Sequence, residues 1–377
     1  MKYKILYITS TNLNSTSNKG YFASRLEQIL SNKPANYDFT VLSLPIKPQV
    51  FSTKNKLLHF IDRLTSGLIY IFNDKFILIR GKYKKAIIKE LTTNSHDLVI
   101  LQIYPISFIT LSSTIKKYNK SNRMMLDISD PIVANSTFRD WPWPRKLITR
   151  HYENKYIPLF NGLFVLNKEI KQYFEERFPS MVIKVVEFGI DKNVVSPPKS
   201  PEKKDEKLKL LYAGVFYKNL RNPSNLYKAI LAIDYPIELS VFGKSEFNGM
   251  LPSKDSRFLH REMIPKATLN KLYQDYDIIV FIDNFYGIQI PGKTLEILAL
   301  NKPILFIYEN EESPTFNYAR KYNGIFYTKN NPEEIKKTIA EIKRANQWVY
   351  ERNLKNYYWE NILTPYYNFI GQKLITN

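Results

Sequence analysis

One feature restricts the possible folds more than any other: an alternation. Short, apolar, β-rich runs recur along the chain, each separated from the next by a longer amphipathic stretch. "YKILYIT" gives way to the helix-like "GYFASRLEQIL" and then to "YDFTVLSL"; "DLVILQI", "RMMLDIS", "LFVLN" and "VIKVVEFGI" follow. Strands that are apolar throughout are buried on both faces, and strands joined through helices run parallel. Near Ser196 the pattern breaks at "SPPKSPEKKDEK", rich in Pro and charge with nothing to bury. It then restarts with "LKLLYAG", "NPSNLYKAIL", "IELSVFG", "ATLNKLYQDYDIIVFI", "GKTLEILAL", "KPILFI" and "PEEIKKTIAEIK". A chain of 377 residues exceeds what one core usually supports. The pattern predicts an α/β protein of two doubly wound domains, 1–195 and 208–345, joined by a linker at 196–207. Residues 346–377 are helical and aromatic with no strand of their own, and are expected to pack back on the first domain.

Charge narrows the partners. Lys and Arg number 55 against 35 Asp and Glu, a formal net charge of +20. Such an excess implies an acidic partner: phosphate, an anionic membrane surface or nucleic acid. A Lys- and Asn-rich proteome bias accounts for part of it. The cations are scattered and not gathered in one tract, which argues against nucleic acid. There is no Cys, so disulfides and thiolate metal sites are excluded. The opening "MKYKILYITS" reads as a strand and not as a signal peptide, and no run approaches the ~20 apolar residues of a spanning helix. A cytoplasmic protein is expected, peripheral at the inner face of the plasma membrane if its basic surface meets lipid.

The stretch "IPGKTLEILALNKPILFI" carries the chemistry. A strand, a loop and a helix start follow one another in "DIIVFIDNFYGIQIPGKTLE", and open α/β sheets bind ligands at that carboxyl edge. The first turn of a helix offers unpaired N–H groups and partial positive charge. Pro291 suits an early helical position and Gly292 lets backbone approach a ligand. Lys293 adds a full charge toward a diphosphate, and Glu296, one turn on, is placed to accept hydrogen bonds from a ribose diol. The same residues also make an ordinary helix start, with Glu296 balancing the dipole and Lys293 solvated. A second candidate loop, "LYAGVFYKNLRNPSNLYKAI", follows the first strand of the same domain. Gly214 permits close approach to phosphate, Lys218 and Arg221 supply cations, and Asn222-Pro223-Ser224 supplies turn and cap chemistry.

These stretches resemble the donor domain of GT-B glycosyltransferases, and specifically of the large retaining family 4 group. "YAGVFYKNLRNP" is similar to that family's glycine-and-basic diphosphate loop. "LHREMIPKATLNKLYQDYDIIVFIDN" is similar to its strand–turn–helix–strand run, with Asp277 before the core strand. "IPGKTLEILALNKPILF" matches the pattern P-x-K-x-x-E-x-x-A-x-x-K-P, and "VVEFGIDKNVV" resembles the junction closing the first domain. The resemblance covers residues 185–345 and implies two Rossmann-like domains facing a cleft, with a C-terminal helix crossing back to the first. By it, Arg221 and Lys293 hold the diphosphate and Glu296 the ribose, while Gly214, Gly292 and Thr294 offer backbone contacts and His260 approaches the base. One departure stands out. Many relatives carry a glutamate eight residues before the one matched by Glu296, and that position is Ile288. Asp283, Asn284 or Gln289 are then the candidates for donor-sugar contact.

In the first domain, "LDISDPIVANSTFRDWPWPRKLITRHYENKYI" sets Asp127 and Asp130 after a strand-like run. "DISD" resembles the D-x-R-D segment of relatives, with Ser129 in place of Arg, which implies that Asp130 orients an acceptor hydroxyl. Trp141 and Trp143 are candidate sugar-stacking surfaces, although Asp before Pro is also ordinary turn chemistry and tryptophans usually fill cores. His151 is a lone histidine and reads as structural. The polar loop "TNLNSTSNKG", ending at Gly20, is expected near the acceptor. The basic, apolar stretch 54–89 suits either a bilayer surface or a pair of amphipathic core helices. The expected function is transfer of a hexose-type sugar from a nucleoside diphosphate sugar to a glycan or lipid-linked acceptor in cell-surface polysaccharide biosynthesis, with retention. Neither a metal nor a cofactor is expected. A nucleotide-sugar epimerase of the same fold and a non-catalytic partner subunit remain open alternatives.

Overall fold

The computed structural model of the chain describes residues 2–12, 21–45, 76–192, 207–247 and 255–375. Two compact units emerge: Met1–Phe188 with Trp359–Asn377, and Gly189–Tyr358. Most of the linker expected at 196–207, of the loop ending at Gly20 and of the basic stretch 54–89 lies outside the described residues.

Unit 1 is built on β1 (Tyr3–Thr9), β2 (Tyr37–Ser43), β3 (Leu98–Gln102), β4 (Met124–Asp127), β5 (Gly162–Val165) and β6 (Ile183–Val185). Every pairing is parallel, in the order β2-β1-β3-β4-β5-β6. β3 and β4 are buried at every residue, as the uninterrupted apolar runs dictate. The C-terminal helix Trp359–Ile375 belongs to this unit: Trp359, Leu363, Tyr366 and Ile370 recur at helical spacing along one core-facing stripe. Tyr366 packs its ring 4.4 Å from that of Phe164.

Unit 2 carries β7 (Leu208–Ala213), β8 (Ile237–Phe242), β9 (Phe258–Arg261), β10 (Ile278–Ile282), β11 (Ile304–Tyr308) and β12 (Ile325–Lys329). Its order, β12-β11-β10-β7-β8-β9, is again wholly parallel. This is the doubly wound arrangement in which strand order reverses between the first and fourth strands of the domain, here β7 and β10, opening a crevice at their carboxyl ends. Residues 346–358 stay with unit 2, so the division falls later than 345. The reason is Arg352, buried among carbonyls: its guanidinium donates to Asn323 (2.8 Å), Leu298 (3.0 Å), Lys302 (2.9 Å) and Gly324 (3.1 Å).

The same device fixes both sheets at their amino edges. Asp97, just before β3, accepts from the Lys4 amide at 2.7 Å; Asp277, just before β10, accepts from the Lys209 amide at 2.8 Å. In each unit this ties together the two strands that flank the reversal, so their opposite, carboxyl ends are held side by side.

Candidate functional site

At the β7–β10 reversal, both loops singled out by sequence arrive together. The β7 loop packs with almost no clearance. A Cβ on Gly243, just past β8, would lie 1.6 Å from the Gly214 carbonyl oxygen, so the two backbones touch and only glycine fits at 243. The Gly214 amide donates to Phe242 at 3.0 Å, and the Phe216 amide to Lys244 at 2.9 Å. The loop then turns so that Arg221 reaches the β10 loop, where its Nε donates to Asn284 Oδ1 at 2.8 Å. Backbone follows the same path, the Phe285 amide donating to Leu220 at 3.1 Å.

Lys293 approaches from the other side. Its Nζ donates to the Ala213 carbonyl, the last residue of β7, at 3.1 Å. Burial pushes its pKa down; Arg221 and Lys266 push the same way, while Glu296 opposes them. Two cations are thus held close enough to repel at the end of β7, the electrostatic condition of a site awaiting an anion. Beneath them Tyr212 is enclosed, and burial raises its hydroxyl to about 12, with Arg221 pulling it back.

Asp283 opens the β10 loop. It is almost wholly buried, accepts from Ser313 Oγ at 2.5 Å and from the Asn284 amide at 2.7 Å. Desolvation raises its pKa against those bonds and the charge of Arg221. It therefore braces Asn284, and through it Arg221, and its carboxylate is already spent on protein partners. Asn284 is likewise engaged with Arg221.

The helix Lys293–Leu298 is six residues long, so its dipole is small and the side-chain cations carry the positive field. Its first amides are partly used. Thr294 donates both its N–H (2.9 Å) and its hydroxyl (2.7 Å) to the Pro291 carbonyl, which removes it as a backbone donor to a ligand. Gly292 caps the helix in helical conformation. Glu296 pairs with Lys266 at 2.5 Å and is part-buried, so a ribose would share the carboxylate with that lysine. The far end of the helix is pinned by Arg352 on the Leu298 carbonyl, whose burial lowers its pKa to about 10. Gln289 is part-buried in the same loop. Lys218 is exposed, and its amide donates to Glu246 at 3.1 Å.

Beside this centre lies a cavity of about 290 Å³ at the ends of β8 and β9, lined by Gly243, Lys244, Ser245, His260, Arg261 and Glu262 among others. His260 stands edge-on to Tyr227, and desolvation lowers its pKa. Its buried Nε2 has no protein partner.

Unit 1 distributes its candidates differently. Asp127 is a buried structural group: Tyr7 donates to it at 2.8 Å and Arg25 lies 3.5 Å away, both wholly enclosed. Asp130 is exposed after β4. The Trp141 ring is covered by the Arg145 guanidinium at 3.8 Å, so that face is closed to a sugar. Trp143 is 72% exposed. His151 is exposed on the same helix. The strand-order reversal in this unit lies between β1 and β3, and there the sequence reading passed over two residues. Tyr104, 58% exposed, stacks on Phe22 at 5.1 Å. Gln102 is buried, accepts from Thr9 at 2.6 Å, and leaves its amide nitrogen without a protein partner. Gln102 sat in plain view as a polar residue closing an apolar strand. Lys266 and Arg352 gave no such signal, because their partners lie 28 or more residues away.

Among the described residues no group of three His, Asp or Glu is gathered as a metal would require, and no helix is long and apolar enough to cross a membrane.

No family model and no curated protein sequence matches this chain. Solved structures do. The chain has the GT-B fold. Sucrose-phosphate synthase from Thermosynechococcus elongatus superposes with a TM-score of 0.64 at 11% identity, over 98% of this chain and 99% of that one. A glycosyltransferase from Rickettsia africae ESF-5 gives 0.61 at 14% identity, over 100% of both chains. A putative UDP-N-acetylglucosamine 2-epimerase from Listeria monocytogenes gives 0.57 at 12% identity, over 99% of this chain and 96% of that one. At such identities the likeness is one of fold.

Proposed function

We propose that this protein is a glycosyltransferase that moves a sugar from a nucleoside diphosphate sugar to a glycan or lipid-linked acceptor, with retention, in the assembly of a cell-surface polysaccharide. The observation that carries the reading is the pair of cations at the end of β7: Lys293 on the Ala213 carbonyl, with Arg221 braced by Asn284. A diphosphate fits there because it relieves the repulsion between them and accepts their remaining N–H groups.

On this reading the sugar–phosphate bond breaks as negative charge grows on the leaving diphosphate. Arg221 and Lys293 stabilise that charge where water is scarce, the setting in which fixed charges act most strongly. They need little reorganisation, since Asn284, Asp283 and Arg352 hold them and their helix in place before substrate arrives. The base occupies the cavity lined by His260 and Arg261, and Glu296 meets the ribose while sharing its charge with Lys266. The acceptor is assigned to the carboxyl edge of the unit 1 sheet, where Asp130, Gln102 and Tyr104 are candidates. The cations supply the positive charge that a metal would otherwise bring. Retention follows if the leaving phosphate itself takes the acceptor proton, so no protein base is required.

The epimerase in the same structural group keeps a second reading in play. One experiment separates them. The protein is incubated with a panel of UDP-, GDP-, CMP- and dTDP-sugars, with and without a glycolipid acceptor extract, and products are read by mass spectrometry. Transfer that depends on acceptor supports the proposal. Conversion of the sugar nucleotide to an isomer without acceptor supports the epimerase. Nucleotide binding in calorimetry with neither outcome marks a non-catalytic subunit, and absence of any nucleotide binding refutes both enzyme readings.

A further inference from the structure

The helix Trp143–Tyr156 presents a surface that the proposed chemistry does not use. Its inner face is locked into unit 1 by Glu153, which is fully buried: it accepts from the Val133 amide at 3.1 Å and from Tyr173 at 2.5 Å, and pairs with Arg177 at 2.9 Å. Thr149 and Tyr156 are buried on the same side. The helix therefore has one fixed rotation, and its outer face is set by the fold. On that face stand Trp143, 72% exposed, and Leu147, 53% exposed, one turn apart, followed by exposed Arg150 and His151. These two are the largest apolar exposures on any one helix among the described residues.

The charge around them is one-sided. Residues 138–156 contain five Lys and Arg against two acids, and one of those acids is the buried Glu153. A large aromatic and an aliphatic side chain left in water, rimmed by cations, fit an interface that is apolar inside and anionic outside. A glycan-stacking role for Trp143 fits less well: the adjacent Trp141 ring is covered by Arg145, and a convex helix face offers no pocket for a sugar.

The geometry points to Trp143 and Leu147 as a membrane-docking face, inserting into the headgroup region of an anionic bilayer while Arg150 and its neighbouring cations contact lipid phosphates. This does not depend on the proposed transfer reaction. Stretch 54–89, the other candidate for lipid contact, lies mostly outside the described residues.

The test is flotation of the full chain with vesicles of phosphatidylcholine alone or with phosphatidylglycerol. Anionic vesicles should bind it, neutral ones at least about tenfold less, and binding should fall as salt rises. Leu147→Gln and Trp143→Ser should each weaken binding by roughly tenfold, the scale of exposing one large apolar side chain. Arg150→Glu should weaken it, whereas Lys337→Glu and Leu231→Gln, on unit 2, should not. Trp143→Phe gives a direct readout: it should still float but lose most of the fluorescence quenching produced by brominated lipid. Circular dichroism and thermal melts confirm that each variant is folded. Equal losses for Lys337→Glu and Arg150→Glu would overturn the proposal in favour of diffuse charge attraction. So would quenching that survives in Trp143→Phe, binding indifferent to Leu147→Gln, or no binding to anionic vesicles at all.

Discussion

Lys293→Met removes one charge from the end of β7 and keeps nearly the same volume. In the native chain, one of the three ammonium N–H groups is used on Ala213 at 3.1 Å, leaving two for a ligand. A unit charge ~4 Å from a phosphate, at an effective dielectric of ~20, attracts it by about 4 kcal/mol. Desolvation of both partners reduces the net value to that of a charged hydrogen bond, about 1.5–3 kcal/mol. The dissociation constant of the nucleoside diphosphate should therefore rise roughly 10- to 150-fold. Stability should move the other way. The fold holds Lys293 charged against burial and against Arg221, so its removal should leave the melting temperature unchanged or higher, as at sites where function opposes stability. Titration calorimetry and differential scanning calorimetry on the same samples read both effects. An unchanged dissociation constant would refute the diphosphate assignment; weakened binding together with a lower melting temperature would show that the lysine is a structural group.

Further outcomes follow from the same geometry. Glu296→Gln should weaken ribonucleotide binding by about tenfold, and the loss should vanish when 2′- and 3′-deoxynucleotides are compared in calorimetry; an equal loss for both would place Glu296 away from the ribose. Gly243→Ala drives a Cβ into the Gly214 carbonyl and should cost about 3 kcal/mol or more in urea unfolding, whereas Gly81→Ala, with open space around it, should not destabilise. Asp283 has a raised pKa in the fold, so the native state holds its proton to higher pH than the unfolded chain does. Its favourable contribution is full below the ordinary Asp value and is lost as pH rises through the raised one. Asp283→Asn should therefore gain on the wild type across that window and run parallel above it; a constant difference would contradict the burial argument. Nucleotide affinity should fall as pH rises through the lowered pKa of Lys293, and Lys293→Met should abolish that limb.

The fold class was legible because parallel strands buried on both faces leave unbroken apolar runs such as "IIVFI" and "LVILQ", and such runs in alternation with helices mark an α/β protein. The two phosphate-loop candidates were legible because glycine after a strand and cations at a helix start are local signals. What stayed hidden is tertiary. Lys266 pairs with Glu296 across 30 residues, and Arg352 reaches the Leu298 carbonyl across 54. Thr294 was expected to offer a backbone contact yet spends its donors on Pro291, because the chain enters the helix through a tight turn at that proline. Asp127 shows in the sequence only as an acid closing an apolar run; its buried pairing with Tyr7 and Arg25 depends on residues more than a hundred positions away. Trp141 could not be judged from sequence, because the covering Arg145 is one helical turn along and only the fold rotates it over the ring.

The most direct test is a crystal structure of the protein with whichever nucleoside diphosphate binds most tightly in calorimetry. The account predicts diphosphate oxygens within hydrogen-bond distance of Lys293 Nζ and the Arg221 guanidinium, at the carboxyl ends of β7 and β10. A nucleotide seated elsewhere, with Lys293 still bonded only to Ala213, would contradict it.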